Sequence, residues 1–291
     1  MSAPLVVAAA AYPPTPVAGW PEWEAKAAAW VADAAGQGAG LLVFPEYGAM
    51  ELAHLDGPAT AADLEASLHA AARHGPRAQA HWAALAAHHR IHVLAPSGPW
   101  DAGGPRPVNR AWLHGPGGTL GHADKQVTTR FERETWGVAP GDPLRRFDVA
   151  GLRVGVLICY DAEFPALAAA LDADLLLVPS CTDAPAGFAR VRVAARARAL
   201  EGQCVVAHAP TVGDCPWSPA IDENRGRAAL FGPPDRGFPE NGILAQGAPD
   251  APGWTLAAVD PAAIARVRTE GQVLNRAHAP EARRAAGRVQ G

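Results

Sequence analysis

The sequence predicts one domain of mixed α/β type. Three observations carry that expectation. Short apolar runs alternate with Ala-rich amphipathic segments along most of the chain. No linker, internal repeat or low-complexity stretch interrupts the alternation. At 291 residues with 49% hydrophobic side chains, the chain can bury a substantial core.

The elements follow in order. LVVAAAAY (5–12) reads as a strand, and PEWEAKAAAWVADAAGQG (21–38) as a helix with Pro21 in its first turn and glycines at its end. LLVFPE (41–46) is a short apolar run of the buried-strand type. Two Ala-rich helices follow, over 60–73 and 77–90, and then the strand IHVLAPSG (91–98). VNRAWLHGPGGTLGHADK predicts a hairpin turning at Gly115–Gly118. LRVGVLICY (152–160) and DLLLVPS (174–180) are apolar strands separated by a short helix. A longer helix over 185–202 precedes the strand CVVAHAP (204–210). RAALFGPP, NGILAQG and TLAAVD read as closing antiparallel strands, before a short helix and a polar tail.

Composition removes several classes of function. A formal net charge of −4 without any block of like charges excludes nucleic-acid binding by bulk basicity. No stretch approaches the roughly 18–20 uninterrupted apolar residues of a membrane span. MSAPLVVAAAAYPP lacks the basic start of a secretory signal. Cys159, Cys181, Cys204 and Cys215 form no CxxC pair, so free thiols and a cytoplasmic location are expected.

Of the 25 basic residues only Lys26 and Lys125 are lysines. A lysine that survives such a bias is a candidate for work that needs a compact ammonium. Lys26 fits the polar side of its Ala-rich helix. Lys125 closes a strand and has no such bland role.

Candidate chemistries narrow quickly. His88, His89 and His92 lie close together, but no HExxH accompanies them, and no metal is expected. Gly36, Gly38 and Gly40 follow a helix and precede a strand, the reverse of a phosphate-binding loop. No GxSxG elbow is present for a serine nucleophile. A cysteine nucleophile survives. Glu46, Cys159, and Cys181 with Thr182 all stand at carboxyl ends of predicted strands, the edge where open α/β sheets bind ligands. A thiol needs a base or a cation near it at neutral pH. Glu46 can take the proton of Cys159, and Lys125 can favour thiolate and then an oxyanion. Cys204 reads as a small core residue.

FPEYG (44–48), the lysine of HADKQ (122–126) and GVLICYDAEFP (155–165) together resemble the nitrilase superfamily of carbon–nitrogen hydrolases. Their order and spacing agree with that family, and the likeness extends from about residue 5 to 260. It implies a four-layer α-β-β-α sandwich, with residues 1–270 as the hydrolase domain and 271–291 as a polar tail. It also implies Glu46 as general base, Cys159 as nucleophile, and Lys125 with the Tyr160 backbone N–H as the oxyanion site. KQVTTRFERETWG offers Glu132 or Glu134 as an auxiliary glutamate; the ERxxWG pattern favours Glu132. Trp136, Tyr160, Glu163, Cys181 and Thr182 are expected to meet substrate, with Trp217 as a second apolar wall. For Glu163, a helix-capping role competes with contact to a cationic substrate. Arg198 and Glu201 are expected to form a structural ion pair.

The activity implied is hydrolysis of a small amide by a homodimer or higher homo-oligomer, without cofactor, nucleic acid or membrane partner. CYDAEFP leans toward amidases, and ERETWG toward nitrilases. A nitrilase or N-carbamoyl hydrolase is therefore the runner-up, ahead of an acyltransferase or a silent scaffold. The segment 214–242 departs from the family's usual closing strands.

Overall fold

A computed structural model describes residues 3–288. In chain order its elements are β1 (Leu5–Ala11), α1 (Trp20–Gly36), β2 (Leu41–Val43), α2 (Pro58–Ala61), α3 (Leu64–His89), β3 (His92–Leu94), β4 (Gly98–Trp100), β5 (Val108–Gly115) and β6 (Gly118–Asp124). The second half adds β7 (Arg146–Val149), β8 (Leu152–Val156), α4 (Pro165–Leu171), β9 (Leu175–Ser180), α5 (Pro185–Gly202), β10 (Val205–Pro210), β11 (Ala229–Phe231), β12 (Ile243–Gln246), β13 (Gly253–Val259), α6 (Pro261–Glu270) and α7 (Asn275–Ala286).

These strands make two sheets. The first has the order β13-β1-β2-β3-β5-β4, with β6 also on β5; the second has the order β12-β11-β10-β9-β8-β7. β1, β2 and β3 run parallel, as do β8, β9 and β10, and antiparallel strands flank both trios. The layering can be read from β1 alone. Val7, Ala9 and Ala11 enter the core shared with the second sheet, whereas Ala8 and Ala10 pack toward α1 and α3. A strand covered on both faces must be apolar at every position, so LVVAAAA is a run and not an alternation. Helix α5 covers the far side of the second sheet through Val191, Ala195 and Ala199. The result is the expected four-layer α-β-β-α sandwich.

Some boundaries differ from the sequence expectation. The two helices expected over 60–90 are the one-turn α2 and a single long α3 that continues through Pro76. Gly75 lets the helix lie against Trp100; a Cβ there would meet the indole at 2.9 Å. The segment 91–98 divides into β3 and β4, and β7 is a strand that the pattern had not suggested. The tail after 270 also contains a helix, α7, though none of its residues is buried. Residues 289–291 of that tail lie outside the described part.

Lys26 requires a correction. It is not on a solvated helix face: it donates to the Pro13 carbonyl at 2.9 Å and to Thr15 Oγ1 at 2.8 Å, and it pairs with Glu51. Glu51 is itself buried and also accepts from the Tyr12 hydroxyl.

Candidate active site

Glu46 stands three residues beyond β2, Lys125 directly after β6, Cys159 three beyond β8 and Cys181 directly after β9. The parallel strands carry their carboxyl ends to one edge, and all four residues line a single cavity of about 600 Å³. Tyr47 and Cys159 have φ of 55° and 51°, so the chain turns through the left-handed region beside Glu46 and at Cys159. Such strain in non-glycine residues persists only where surrounding contacts hold it.

Glu46 is only 1% exposed and is held by three donors. Oε1 accepts from Lys125 Nζ at 2.7 Å and from Asn109 Nδ2 at 2.9 Å, while Oε2 accepts from the Cys181 N–H at 2.9 Å. Lys125 is equally buried and bridges to Glu132, with Nζ 2.8 Å from Oε1 and 2.7 Å from Oε2. Thr129 donates to Glu132 through its N–H at 2.7 Å and its hydroxyl at 2.8 Å, and the Tyr47 hydroxyl donates as well. Glu132 opens a single turn of π-helix, a deformation often found at functional sites. Glu134 points outward and pairs with Arg130. Of the two candidates, Glu132 is therefore the one at the lysine.

The Cys159 thiol donates to the Cys181 carbonyl, with sulfur and oxygen 3.6 Å apart. Among the described residues no acceptor binds the Tyr160 N–H, which follows Cys159 at the start of a 3₁₀ turn. Behind this turn, buried Asp161 accepts the N–H groups of Gln126 and Val127. That bond ties the cysteine loop to the residues just after Lys125.

Electrostatics follow from burial plus these partners. Burial raises Glu46 to about 7; Lys125 opposes the rise and Glu132 adds to it. Burial also pushes the Cys159 thiol well above its ordinary value, with Glu46 adding to the push and Lys125 resisting it. Burial by itself would lower Lys125, but Glu46 and Glu132 override it and raise the ammonium above its usual range. For Glu132 the desolvation is outweighed by Lys125, and its carboxyl is lowered. The arrangement therefore holds a firm cation between two carboxylates, with a protonated thiol beside the carboxylate that titrates near neutrality.

The other expected contacts divide. Trp136, Tyr160, Glu163 and Thr182 line the cavity. Trp136 packs on Tyr47 at 4.8 Å between ring centres and donates to the Leu64 carbonyl. Cys181 contributes chiefly through its backbone, and its thiol turns to Asn224 Oδ1 at 3.1 Å. Glu163 lies 3.6 Å from Arg190 instead of capping a helix. Trp217 lies away from the cavity, against His54 and the small cluster Ala53, Ala61 and Ala70. Arg198 and Glu201 form the expected pair at 2.8 Å. Cys204 is buried, as expected, and so is Cys215, whose thiol meets the Pro14 carbonyl. Tyr47, Asn109 and Asp161 were not singled out from the sequence, although each adjoins or lies within a motif that was. Among the described residues the metal-ligand-like cluster is His122, Asp124 and Asp142, not the histidines at 88–92. Arg110 already donates to both of its carboxylates.

A model of the carbon-nitrogen hydrolase family matches residues 6–269. The chain belongs to this family. Its relatives include the probable hydrolase YhcX of Bacillus subtilis (strain 168), 34% identical over 168 residues, 57% of this chain and 33% of the relative. A deaminated glutathione amidase of Yersinia enterocolitica is 38% identical over 92 residues, covering 31% and 32% of the two chains. The omega-amidase NIT2-B of Xenopus laevis is 35% identical over 127 residues, 40% of this chain and 43% of the relative. The matched region thus spans about a third to two-fifths of these relatives' lengths. In fold, this carbon-nitrogen hydrolase resembles a nitrilase-superfamily amidase of Nesterenkonia AN1, with TM-score 0.69, 21% identity and 97% of both chains covered. It also resembles Saccharomyces cerevisiae Nit3, with TM-score 0.70, 19% identity, and 91% and 93% covered. Among the described residues no helix is long and apolar enough to cross a membrane.

Proposed function

We propose that this carbon-nitrogen hydrolase is a thiol amidase that converts a small carboxamide to the carboxylic acid and ammonia. The observation that carries the reading is the convergence of Glu46, Lys125 and Cys159 in one cavity, with the carboxylate beside the thiol. Glu46 takes the thiol proton as sulfur bonds to the amide carbon. Lys125 Nζ and the Tyr160 N–H receive the oxyanion, a task for which two fixed donors in a dry site are well suited. Collapse of that intermediate breaks the C–N bond; the nitrogen takes the proton from Glu46 and leaves as ammonia. A thioester remains on Cys159. Glu46 then removes a proton from water, whose oxygen bonds to the acyl carbon, and returns that proton to sulfur as the acid departs. Glu132 keeps Lys125 aimed and charged throughout. A cytoplasmic homodimer is part of the same reading, and the exposed Val193 and Leu200 on α5 support helix-face association.

The test is ammonia release from matched amides, nitriles and N-carbamoyl compounds by the wild type and by Cys159→Ala. Release from amides that disappears in the variant is expected. Release from nitriles alone would establish the runner-up activity, and persistence in Cys159→Ala would remove Cys159 as nucleophile.

A further inference from the structure

The segment whose sequence departs from the family pattern turns out to wall the cavity. Residues 219–223 line it, as do Tyr160 and Glu163. This loop is built onto the catalytic strand end. Thr182 Oγ1 donates to the Arg225 carbonyl at 2.8 Å, and the Arg225 N–H returns a bond of 2.8 Å to the Thr182 carbonyl. Fully buried Asn224 donates to the Gly213 and Ile221 carbonyls, both at 2.9 Å, while its Oδ1 accepts the Cys181 thiol. The loop is therefore a fixed wall, and beside Pro219, Ala220 and Ile221 it brings two carboxylates, Asp222 and Glu223, to the cavity.

Beyond the catalytic groups, the cavity is lined by Glu163, Asp183, Asp222 and Glu223 against two cations, Arg130 and Arg190. Both arginines are largely solvent-facing and already carry partners, Glu134 at 2.7 Å and Glu163 at 3.6 Å. Glu223 likewise has a cation near it, Arg225 at 3.6 Å, whereas among the described residues Asp183 and Asp222 have no ion-pair partner, so the rim keeps an excess of negative charge. Aromatic groups point the same way. Trp136 and Phe131 sit 5.9 Å apart between ring centres on the cavity wall, and Phe131 is 40% exposed. An exposed aromatic ring such as that of Phe131, in a cavity that also carries carboxylates, is the chemistry that recognises an organic cation.

Resting on the amidase reading of the same cavity, we infer that its substrates are amides whose far end is a protonated amine, selected by the Asp183, Asp222 and Glu223 rim. An anionic far end meets more acidic than basic groups at this rim, and like-charge juxtaposition is how a site rejects a competitor.

The test compares kcat/KM for 4-aminobutanamide, butanamide and succinamate, at low and at raised salt. The amine is expected to exceed the neutral amide by about tenfold, chiefly through KM, and the anion to fall below it by a similar factor. Raised salt should compress both ratios. In Asp183→Asn/Asp222→Asn/Glu223→Gln the amine-to-neutral ratio is expected to collapse toward one. A wild-type ratio at or below one, or a ratio unmoved by the triple substitution, would overturn the inference. A second readout does not require turnover: the rate at which methanethiosulfonates bearing an ammonium, no charge or a sulfonate label Cys159, located by peptide mapping. If no amide is hydrolysed the amidase reading fails. The order of labelling rates, ammonium fastest and sulfonate slowest, then still decides the charge inference, and any other order refutes it.

Discussion

Glu132→Gln separates the electrostatics of this site from its scaffolding. Glu132 and Glu46 contact the same ammonium at 2.8 and 2.7 Å, which places their oxygens about 5 Å apart. At that separation and an effective dielectric constant of about 20, two unit charges interact by about 3 kcal/mol. Removing the Glu132 charge therefore lowers the Glu46 pKa, by up to about 2 units at 1.36 kcal/mol per unit. The sign follows from the role. Glu46, raised to about 7, works as a base only when ionised, so wild-type kcat/KM rises with pH through about 7. In Glu132→Gln the acid limb should move down to about 5–6. The plateau should fall as well, by about 10–100-fold, because the amide nitrogen cannot accept from Thr129 and Lys125 is less firmly aimed. The assay is initial-rate ammonia release from pH 4.5 to 9. Generic structural damage would lower the plateau and leave the limb in place. A limb that stays near 7 or moves upward would refute the coupling.

Two further predictions concern the frame around the site. Lys26→Met leaves the buried Glu51 carboxylate without its cation and should cost about 3–5 kcal/mol in urea unfolding, with Lys26→Met/Glu51→Gln recovering most of it; equal losses in the single and double variants would mean that the pair is not coupled. Gly141→Ala places a Cβ 2.2 Å from that of Asp124, next to Lys125, so it should lower kcat/KM more than tenfold, and near-normal kinetics would show that the Asp124–Lys125 segment can shift freely.

What the sequence revealed, and what it hid, follows from how each feature is encoded. Glu46, Lys125 and Cys159 were legible because each ends a recognisable run, and parallel strands deliver their ends to one edge. The choice of Glu132 over Glu134 rested on the resemblance of ERxxWG to the family pattern, and it is Glu132 that pairs with Lys125. Asn109 was not, because its bond to Glu46 spans 63 residues and nothing local distinguishes it from any other strand asparagine. Asp161 was hidden for a related reason: it acts on backbone N–H groups, which leave no mark on residue type. Two helices were expected over 60–90, yet a single α3 runs through Pro76, with Gly75 lying close against Trp100. The loop at 214–225 was visible as a departure, but its place in the cavity depends on contacts to Thr182 and Cys181 that only the fold supplies.

Lys26 was misplaced by a rule that is otherwise sound, and the error is instructive. Amphipathic periodicity assigns a face, not a partner, and a helix edge can meet another element. Set beside Lys125, it shows what the two lysines of this chain have in common. Where this protein needs two parallel bonds to one carboxylate it uses arginine: Arg106 to Glu65 at 2.6 and 2.8 Å, Arg110 to Asp124 at 2.6 and 2.7 Å, and Arg198 to Glu201 at 3.0 and 2.8 Å. A planar fork suits that geometry. At both lysines the acceptors come from different directions onto one point: Glu46 and Glu132 around Lys125, and Pro13, Thr15 and Glu51 around Lys26. A planar guanidinium cannot meet such a set without moving one of its members, whereas a small ammonium with three rotatable donors can. In the proposed mechanism the compact shape of Lys125 serves the chemistry too, because the oxyanion would approach the same nitrogen that the two carboxylates already hold.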